Sequence, residues 1–251
     1  MYDIVCVIPA RLKSTRLPHK PLLDIVGKSM IERTFERASA VLPKEIIYVA
    51  TDSELIFSEC KKFTENVVMT TENCLTGTDR VREFSEIIEA EVYINLQGDE
   101  PIMPLQNIKK IYDEALINRQ AILNGYASIS QHYQYESRTV PKVVVSNSKK
   151  LMYMSRSPIP GGKTSDFKLG FKQICVYSFP KWVLERMSEY KTKTTNENIE
   201  DIEILRFLEN DHEIQMLEMS ANTVAVDTQE DLNLVRMIIE AQGENLPEYD
   251  C

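Results

Sequence analysis

Residues 3–22 read Asp3-Ile4-Val5-Cys6-Val7-Ile8-Pro9-Ala10-Arg11-Leu12-Lys13-Ser14-Thr15-Arg16-Leu17-Pro18-His19-Lys20-Pro21-Leu22. A short, unbroken, β-branched apolar run closed by proline reads as a fully buried strand over residues 3–8. Four cations follow it, Arg11, Lys13, Arg16 and Lys20, with His19 among them, in a loop stiffened by Pro9, Pro18 and Pro21. In an open α/β sheet ligands bind at the carboxyl edge of the strands, and guanidinium and ammonium groups gathered there can clamp a polyphosphate. The alternative is a solvated basic loop, which would have no use for that stiffness.

Outward from this strand the pattern repeats. Short β-branched runs at residues 46–50, 66–69, 92–96 and 122–128 alternate with segments of helical spacing, as expected of a parallel sheet with covering helices. Ile31, Phe35, Ala38 and Val41 predict one helix face before Pro43, with further helices over 54–62, 79–90 and 107–116. Past residue 140 strand-like segments crowd together at 142–145, 151–156 and 173–179 around a turn-rich Pro158, Pro160, Gly161, Gly162 loop, which predicts an antiparallel insertion or arm at about 140–180. A helix over 198–208, a strand over 223–226 and a last helix capped by Thr228 complete the reading, with residues 1–251 as a single domain.

Composition narrows the function. The 251 residues carry 29 Lys and Arg against 38 Asp and Glu, a formal charge of −9. A chain so acidic is a poor binder of nucleic acid or anionic membrane. The average hides an asymmetry, however, because residues 1–40 are net +3 and the remainder −12. No apolar stretch approaches the roughly 20 residues of a membrane span, and no secretory signal precedes the first strand. The five cysteines, Cys6, Cys60, Cys74, Cys175 and Cys251, are scattered and without a C-x-x-C pair, which fits a reducing cytoplasm, and Cys6 and Cys175 read as small buried hydrophobes.

Two further groups carry candidate chemistry. Leu96-Gln97-Gly98-Asp99-Glu100-Pro101 follows a predicted strand, and a carboxylate there, beside a glycine that permits close backbone approach, suits Mg²⁺ held with substrate phosphates. Asp227 is its natural second ligand, or else simply a residue at a helix start. Gly77-Thr78-Asp79-Arg80 opens a helix whose free N–H groups could receive a nucleotide oxygen, or Asp79 is a cap and Arg80 a partner of Glu83. Gly27-Lys28-Ser29 is no Walker A end, because Leu22 stands where its first glycine belongs, and no G-x-G-x-x-G occurs.

Together these segments resemble the CMP-sugar-acid synthetases, most closely the 3-deoxy-manno-octulosonate (Kdo) cytidylyltransferases. The family pattern I-P-A-R-x-x-S-T-R-L-P-x-K-P-L occupies residues 8–22, G-T-[ED]-R residues 77–80, x-L-Q-G-D-E-P residues 96–101 and V-D-T-x-E-D-L residues 226–232. Matches at 140–145, 152–160 and 197–206 extend the resemblance over nearly the whole chain in the family's order. It implies a nucleotidyltransferase with a Rossmann-like, mostly parallel sheet flanked by helices, of the nucleotide-diphospho-sugar transferase type, with a strand-rich dimerisation arm. The reaction would join CTP to a small acidic sugar, giving a CMP-sugar and pyrophosphate for lipopolysaccharide or capsule synthesis, in a cytoplasmic homodimer.

Carried over by residue, Arg11, Ser14, Arg16 and Lys20 would grip the CTP phosphates, with Lys20 at the α-phosphate, and Arg80 would lie where nucleotide and sugar meet. Asp99 and Asp227 would hold Mg²⁺, while Gln97, Gln173 and Glu203 would face the sugar acid. The departures fall mainly on the sugar side. Gln173 stands where the Kdo enzymes have histidine, Ile204 where they have a polar amide, and His19 replaces a glycine of the phosphate loop. A modified acceptor follows as the alternative: 8-amino-Kdo, a nonulosonic acid or a phosphonate. A nucleotide-binding module without catalysis could have lost Lys20, Asp99 or Asp227, and all three are present.

Overall fold

The computed structural model describes residues 2–14, 16–163, 169–190 and 192–242. The opening apolar run is strand β1 (Tyr2–Ala10), paired in parallel with β4 (Ile47–Thr51) on one side and β6 (Ala90–Leu96) on the other. β5 (Val67–Met69) continues in parallel beyond β4. On the far side of β6 lies β10 (Phe171–Pro180), antiparallel to β6 and to β7 (Ile122–Ser128), and β11 (Ile214–Glu218) closes that edge in parallel with β7. The order is β11-β7-β10-β6-β1-β4-β5, a mostly parallel sheet with one antiparallel strand inside it.

Alternation along β1 explains its burial on both faces. Ile4, Cys6 and Ile8 pack with Ile31, Phe35 and Ala38 of α1 (Met30–Ser39), Ile56 and Cys60 of α2 (Glu54–Cys60) and Ile108, Ile111 and Ala115 of α4 (Leu105–Ile117). Val5 and Val7 point the other way, toward Val81 and Phe84 of α3 (Gly77–Ile87) and Val183 and Leu184 of α6 (Lys181–Met187). A third, smaller core of Leu17, Ile25, Met30 and Ile102 seats the basic loop on Val226 and on Leu232, Val235 and Ile239 of α9 (Gln229–Gln242). The strands β2 (Asp24–Ile25) and β3 (Lys28–Ser29) form a hairpin whose turn, Val26-Gly27, has φ of 52° and 80°, so the Gly27-Lys28-Ser29 run is the end of a tight turn and a short strand, and no phosphate loop.

Three expectations are corrected. Residues 173–179, read as part of an arm, lie inside the main sheet, and only the hairpin β8 (Lys142–Val145) and β9 (Leu151–Ser155) branches from β10; residues 164–168 of the expected insertion lie outside the described residues. Residues 223–226 form no strand: Val226 N donates to Asp99 O at 2.9 Å, and Val226 is buried against α9, so the apolar pattern served packing without a ladder. The strands that were missed are β11, in the main sheet, and the short hairpin β2 and β3. The helix expected over 198–208 is two, α7 (Thr195–Glu200) and α8 (Leu205–Glu209), broken at Asp201, whose φ of 50° no helix continues. The short helix α5 (His132–Glu136) and α6 were also not anticipated.

Candidate active site

A cleft of about 880 Å³ opens along the carboxyl ends of β1 and β6. Among its lining residues are Arg11, Ser14, Arg16, Lys20, Arg80, Gln97, Asp99, Gln173, Glu203 and Asp227, so the topology brings every sequence-derived candidate to one space. The basic loop turns sharply into it. Ser14 Oγ accepts from Leu17 N at 3.3 Å, buried Leu17 and Pro21 anchor the loop, and His19 adopts a left-handed φ of 55°, the conformation that favours glycine.

Lys20 is the hub. Its Nζ lies 2.7 Å from Asp99 Oδ2 and 3.1 Å from Asp227 Oδ1, and Arg16 Nη2 lies 3.3 Å from the same Asp227 oxygen. Burial works against the charge on Lys20, yet the two carboxylates outweigh it and hold the pKa above the ordinary lysine value. Asp99 and Asp227 are each about a quarter exposed, at 27% and 26%, and face the open cleft. Two accessible carboxylates meeting at one cation fit Mg²⁺, which takes one or two carboxylates and completes its shell with water and phosphate oxygens. Among the described residues no group of three or more His, Cys, Asp or Glu side chains could hold a metal, so no all-protein cage is formed.

Gly98 brings Asp99 into place: a Cβ there would stand 2.8 Å from Pro9 O, and only glycine allows β1 and the end of β6 to approach so closely. Beside it, Glu100 is 1% exposed, and burial pushes its carboxyl up to about 8 despite a hydrogen bond with the Thr223 hydroxyl. Lys172, within a strand, donates to Ala221 O at 2.8 Å and is lowered by burial, an effect that Glu100 opposes. Neither residue was assigned a role from the sequence, because nothing in the spacing shows that Glu100, after β6, and Lys172, in β10, are brought near each other.

The start of α3 is not free. Thr76 and Asp79 form a capping box, and Glu203, from the turn between α7 and α8, accepts from Gly77 N at 3.2 Å, Thr78 N at 2.8 Å and Thr78 Oγ1 at 2.5 Å. The helix terminus that could have received a nucleotide oxygen is therefore filled by the chain's own carboxylate, whose pKa burial raises. Gln97 packs its amide against Gly77, leaving 2.9 Å between Oε1 and the place of a Cβ. Arg80, 2% exposed, is directed to Asp52 at 2.8 Å, Thr70 and Thr71, while Glu83, the partner expected along the helix, instead receives Thr71 and Cys74.

On the sugar side the departures separate. Gln173 lines the cleft, but Ile204 is fully buried among the aromatic core under β10 and does not reach it. Cys175, read as a core residue, also lines the cleft, and burial raises its thiol pKa well above the usual value, so it remains protonated. Arg156, the arginine of the matched stretch at 152–160, and Asp201 also line the cleft, joined by a 2.9 Å bond from Arg156 Nη2 to Asp201 O; neither was assigned a role from the sequence.

Residues 5–214 match the family described as Cytidylyltransferase. The 3-deoxy-manno-octulosonate cytidylyltransferase of Escherichia coli is 36% identical, covering 95% of this chain and 97% of its own length, and that of Porphyromonas gingivalis is 33% identical over 96% and 98%. The solved structure of a CMP:2-keto-3-deoxy-manno-octonic acid synthetase complexed with CTP is 33% identical, with a TM-score of 0.87 over 96% of this chain and 99% of that one. A cytidylyltransferase from Leptospira borgpetersenii, 16% identical, shares the fold with a TM-score of 0.67 over 98% of this chain and 90% of its own.

Proposed function

The chain belongs to the cytidylyltransferase family, and on that basis we propose that it joins CTP to a Kdo-like 3-deoxy-2-ulosonic acid in a Mg²⁺-dependent reaction. The anomeric hydroxyl of the acid attacks the α-phosphorus and gives up its proton to solvent, a new P–O bond forms, and the bond to the leaving pyrophosphate breaks. The reading extends to a cytoplasmic homodimer that supplies a CMP-sugar for cell-surface polysaccharide. Free cysteines at Cys6, Cys60, Cys74 and Cys175 support the compartment, and no helix among the described residues is long and apolar enough to cross a membrane.

The observation that carries the reading is the meeting of Lys20, Asp99 and Asp227 at the head of the cleft. Phosphoryl-type transfer requires in-line positioning and charge neutralisation more than a protein nucleophile. Lys20, with Arg11, Arg16 and Ser14, binds and neutralises the triphosphate. Gln97, Gln173 and Glu203, which line the same cleft, orient the acid, and Arg80 braces the junction. Mg²⁺ held at Asp99 and Asp227 would polarise phosphate oxygens as a Lewis acid.

Pyrophosphate release from CTP and Mg²⁺ tests the reading against Kdo, its 8-amino relative, a nonulosonic acid and a phosphonate. Release with Kdo or its 8-amino relative is expected. Release with none of these acids, in protein that binds CTP, would overturn the acceptor assignment.

A further inference from the structure

The wall of the cleft formed by β10 contains a hydrogen-bond network in which the orientation of both side-chain amides can be assigned. Asn124 on β7 is fully buried, and its Nδ2 donates to two backbone carbonyls, Ile174 O at 3.1 Å and Val176 O at 2.9 Å. These bonds span the irregularity where the β7–β10 register shifts between Ile174 and Tyr177. Carbonyl oxygens only accept, so the two contacts fix which end of the Asn124 amide is nitrogen. Its other end, Oδ1, must accept, and it receives Gln173 Nε2 at 3.0 Å. The second proton of Gln173 Nε2 is directed to the Tyr177 hydroxyl at 3.1 Å.

Both N–H groups of Gln173 are thereby turned inward. Gln173 lines the cleft, and its Oε1 is absent from the buried side-chain atoms lacking a partner among the described residues, which are Asn95 Oδ1, Ser178 Oγ and His212 Nε2. With no partner among the described residues, Oε1 is the end of this cleft-lining side chain left accessible. A free glutamine could rotate its amide and meet either a donor or an acceptor. This one is held by β-sheet carbonyls through Asn124 and offers only an acceptor.

We propose that Asn124 is a positioning residue for specificity: it locks Gln173 so that the acceptor substrate must present a hydrogen-bond donor, a hydroxyl or a protonated amine, at that point of the cleft. A carboxylate cannot occupy the place, and an analogue lacking the donor leaves Gln173 Oε1 unpaired. The inference rests on the acceptor binding against β10, as in the reaction proposed above.

The test compares wild type, Asn124→Ala and Gln173→Met with CTP and the best acid substrate. It uses a series of analogues in which each hydroxyl in turn is replaced by hydrogen or by an amine. At one position the wild type is expected to lose about tenfold or more in kcat/KM with the deoxy analogue. The amine analogue still presents a donor and is expected to keep most of the rate; a loss as large as that of the deoxy analogue would overturn the donor requirement. That discrimination vanishes in Gln173→Met, which leaves the Asn124 bonds to the sheet intact, and shrinks in Asn124→Ala, with CTP binding unchanged in both. Equal discrimination in all three proteins overturns the proposal. A second measurement needs no acceptor. The side-chain amide protons of Gln173 should exchange slowly in ¹⁵N-labelled wild type and lose protection in Asn124→Ala, and rapid exchange in the wild type overturns the lock. Should the wild type accept no acid at all, the acceptor reading above fails, while the exchange measurement still decides the orientation of Gln173.

Discussion

Lys20 Nζ lies 2.7 Å from Asp99 Oδ2 across 79 residues of sequence, and the same ammonium reaches Asp227. One cation thus holds together two carboxylates that would otherwise repel. Lys20→Met should remove both this restraint and a charge at the phosphates, reducing kcat by about 10² or more, the scale seen for loss of one preorganised electrostatic contact. Steady-state kinetics with CTP varied would show it; a change confined to KM would mean that Lys20 contributes only uniform binding.

Asp99→Asn keeps the shape of the side chain and removes its charge. Turnover should be abolished while CTP binding, measured by titration calorimetry, stays detectable through Arg11, Arg16 and Lys20. Near-normal turnover in this variant would sink the metal assignment.

Gly98→Ala forces a Cβ to within 2.8 Å of the Pro9 carbonyl oxygen, and backbone cannot yield as a flexible side chain can. A loss of about 1–3 kcal/mol in unfolding free energy is expected, as for overpacking in general. Activity should fall further than stability, because Asp99 is displaced with the strand end. Unaltered thermal stability would show that β1 and β6 can separate at no cost.

Arg206, 1% exposed, bridges Asp79 at 2.5 Å and Glu197 at 2.6 Å, tying the start of α3 to α7 and α8, between which Glu203 is presented. Arg206→Met leaves two carboxylates without their cation, one of them fully buried. Denaturant unfolding should show a loss of about 3–5 kcal/mol, as for other broken buried pairs. By contrast, Lys13→Ala at the exposed Lys13–Glu72 pair should leave the unfolding midpoint where it was.

Lys142 is buried in β8, where its Nζ donates to Ser137 O, Val140 O and Arg156 O, each at 2.6 Å. Burial lowers its pKa to about 8 from 10.5, with Arg138 and Arg156 adding and Glu136 and Glu200 opposing. Since the folded value is the lower one, the unfolded chain binds more protons between these two pH values, and stability due to this group rises with pH across that window. The difference in unfolding free energy between wild type and Lys142→Met should be flat below about pH 7 and shift toward the wild type between about pH 8 and 10.5. A flat difference throughout would mean that Lys142 titrates as an exposed lysine.

Legibility followed the range of the interactions. The strands at 47–51, 90–96 and 122–128 emerged within two residues of their predicted bounds because their apolar runs are continuous and local. Helix α1 was visible for the same reason, its buried stripe of Ile31, Phe35 and Ala38 being a local periodicity. Residues 223–226 deceived because a β-branched run signals burial, and Val226 is indeed buried, without specifying a ladder partner. Ile204 deceived in the opposite sense. Its replacement of a polar amide suggested the pocket, yet the residue turns into the core beneath β10, a direction set by the αL break at Asp201 and the packing of Phe207 and Phe179.

The sequence alone determined the alternation that makes an α/β sheet, the basic loop after its first strand, and the motifs that carry the candidate cations and carboxylates, because each is a property of contiguous chain. Only the tertiary structure decided that Asp99 and Asp227 share Lys20, that Glu203 fills the end of α3, and that Asn124 fixes Gln173. Those pairings depend on strand order and register, and neighbours across a sheet leave no mark in the spacing of either partner.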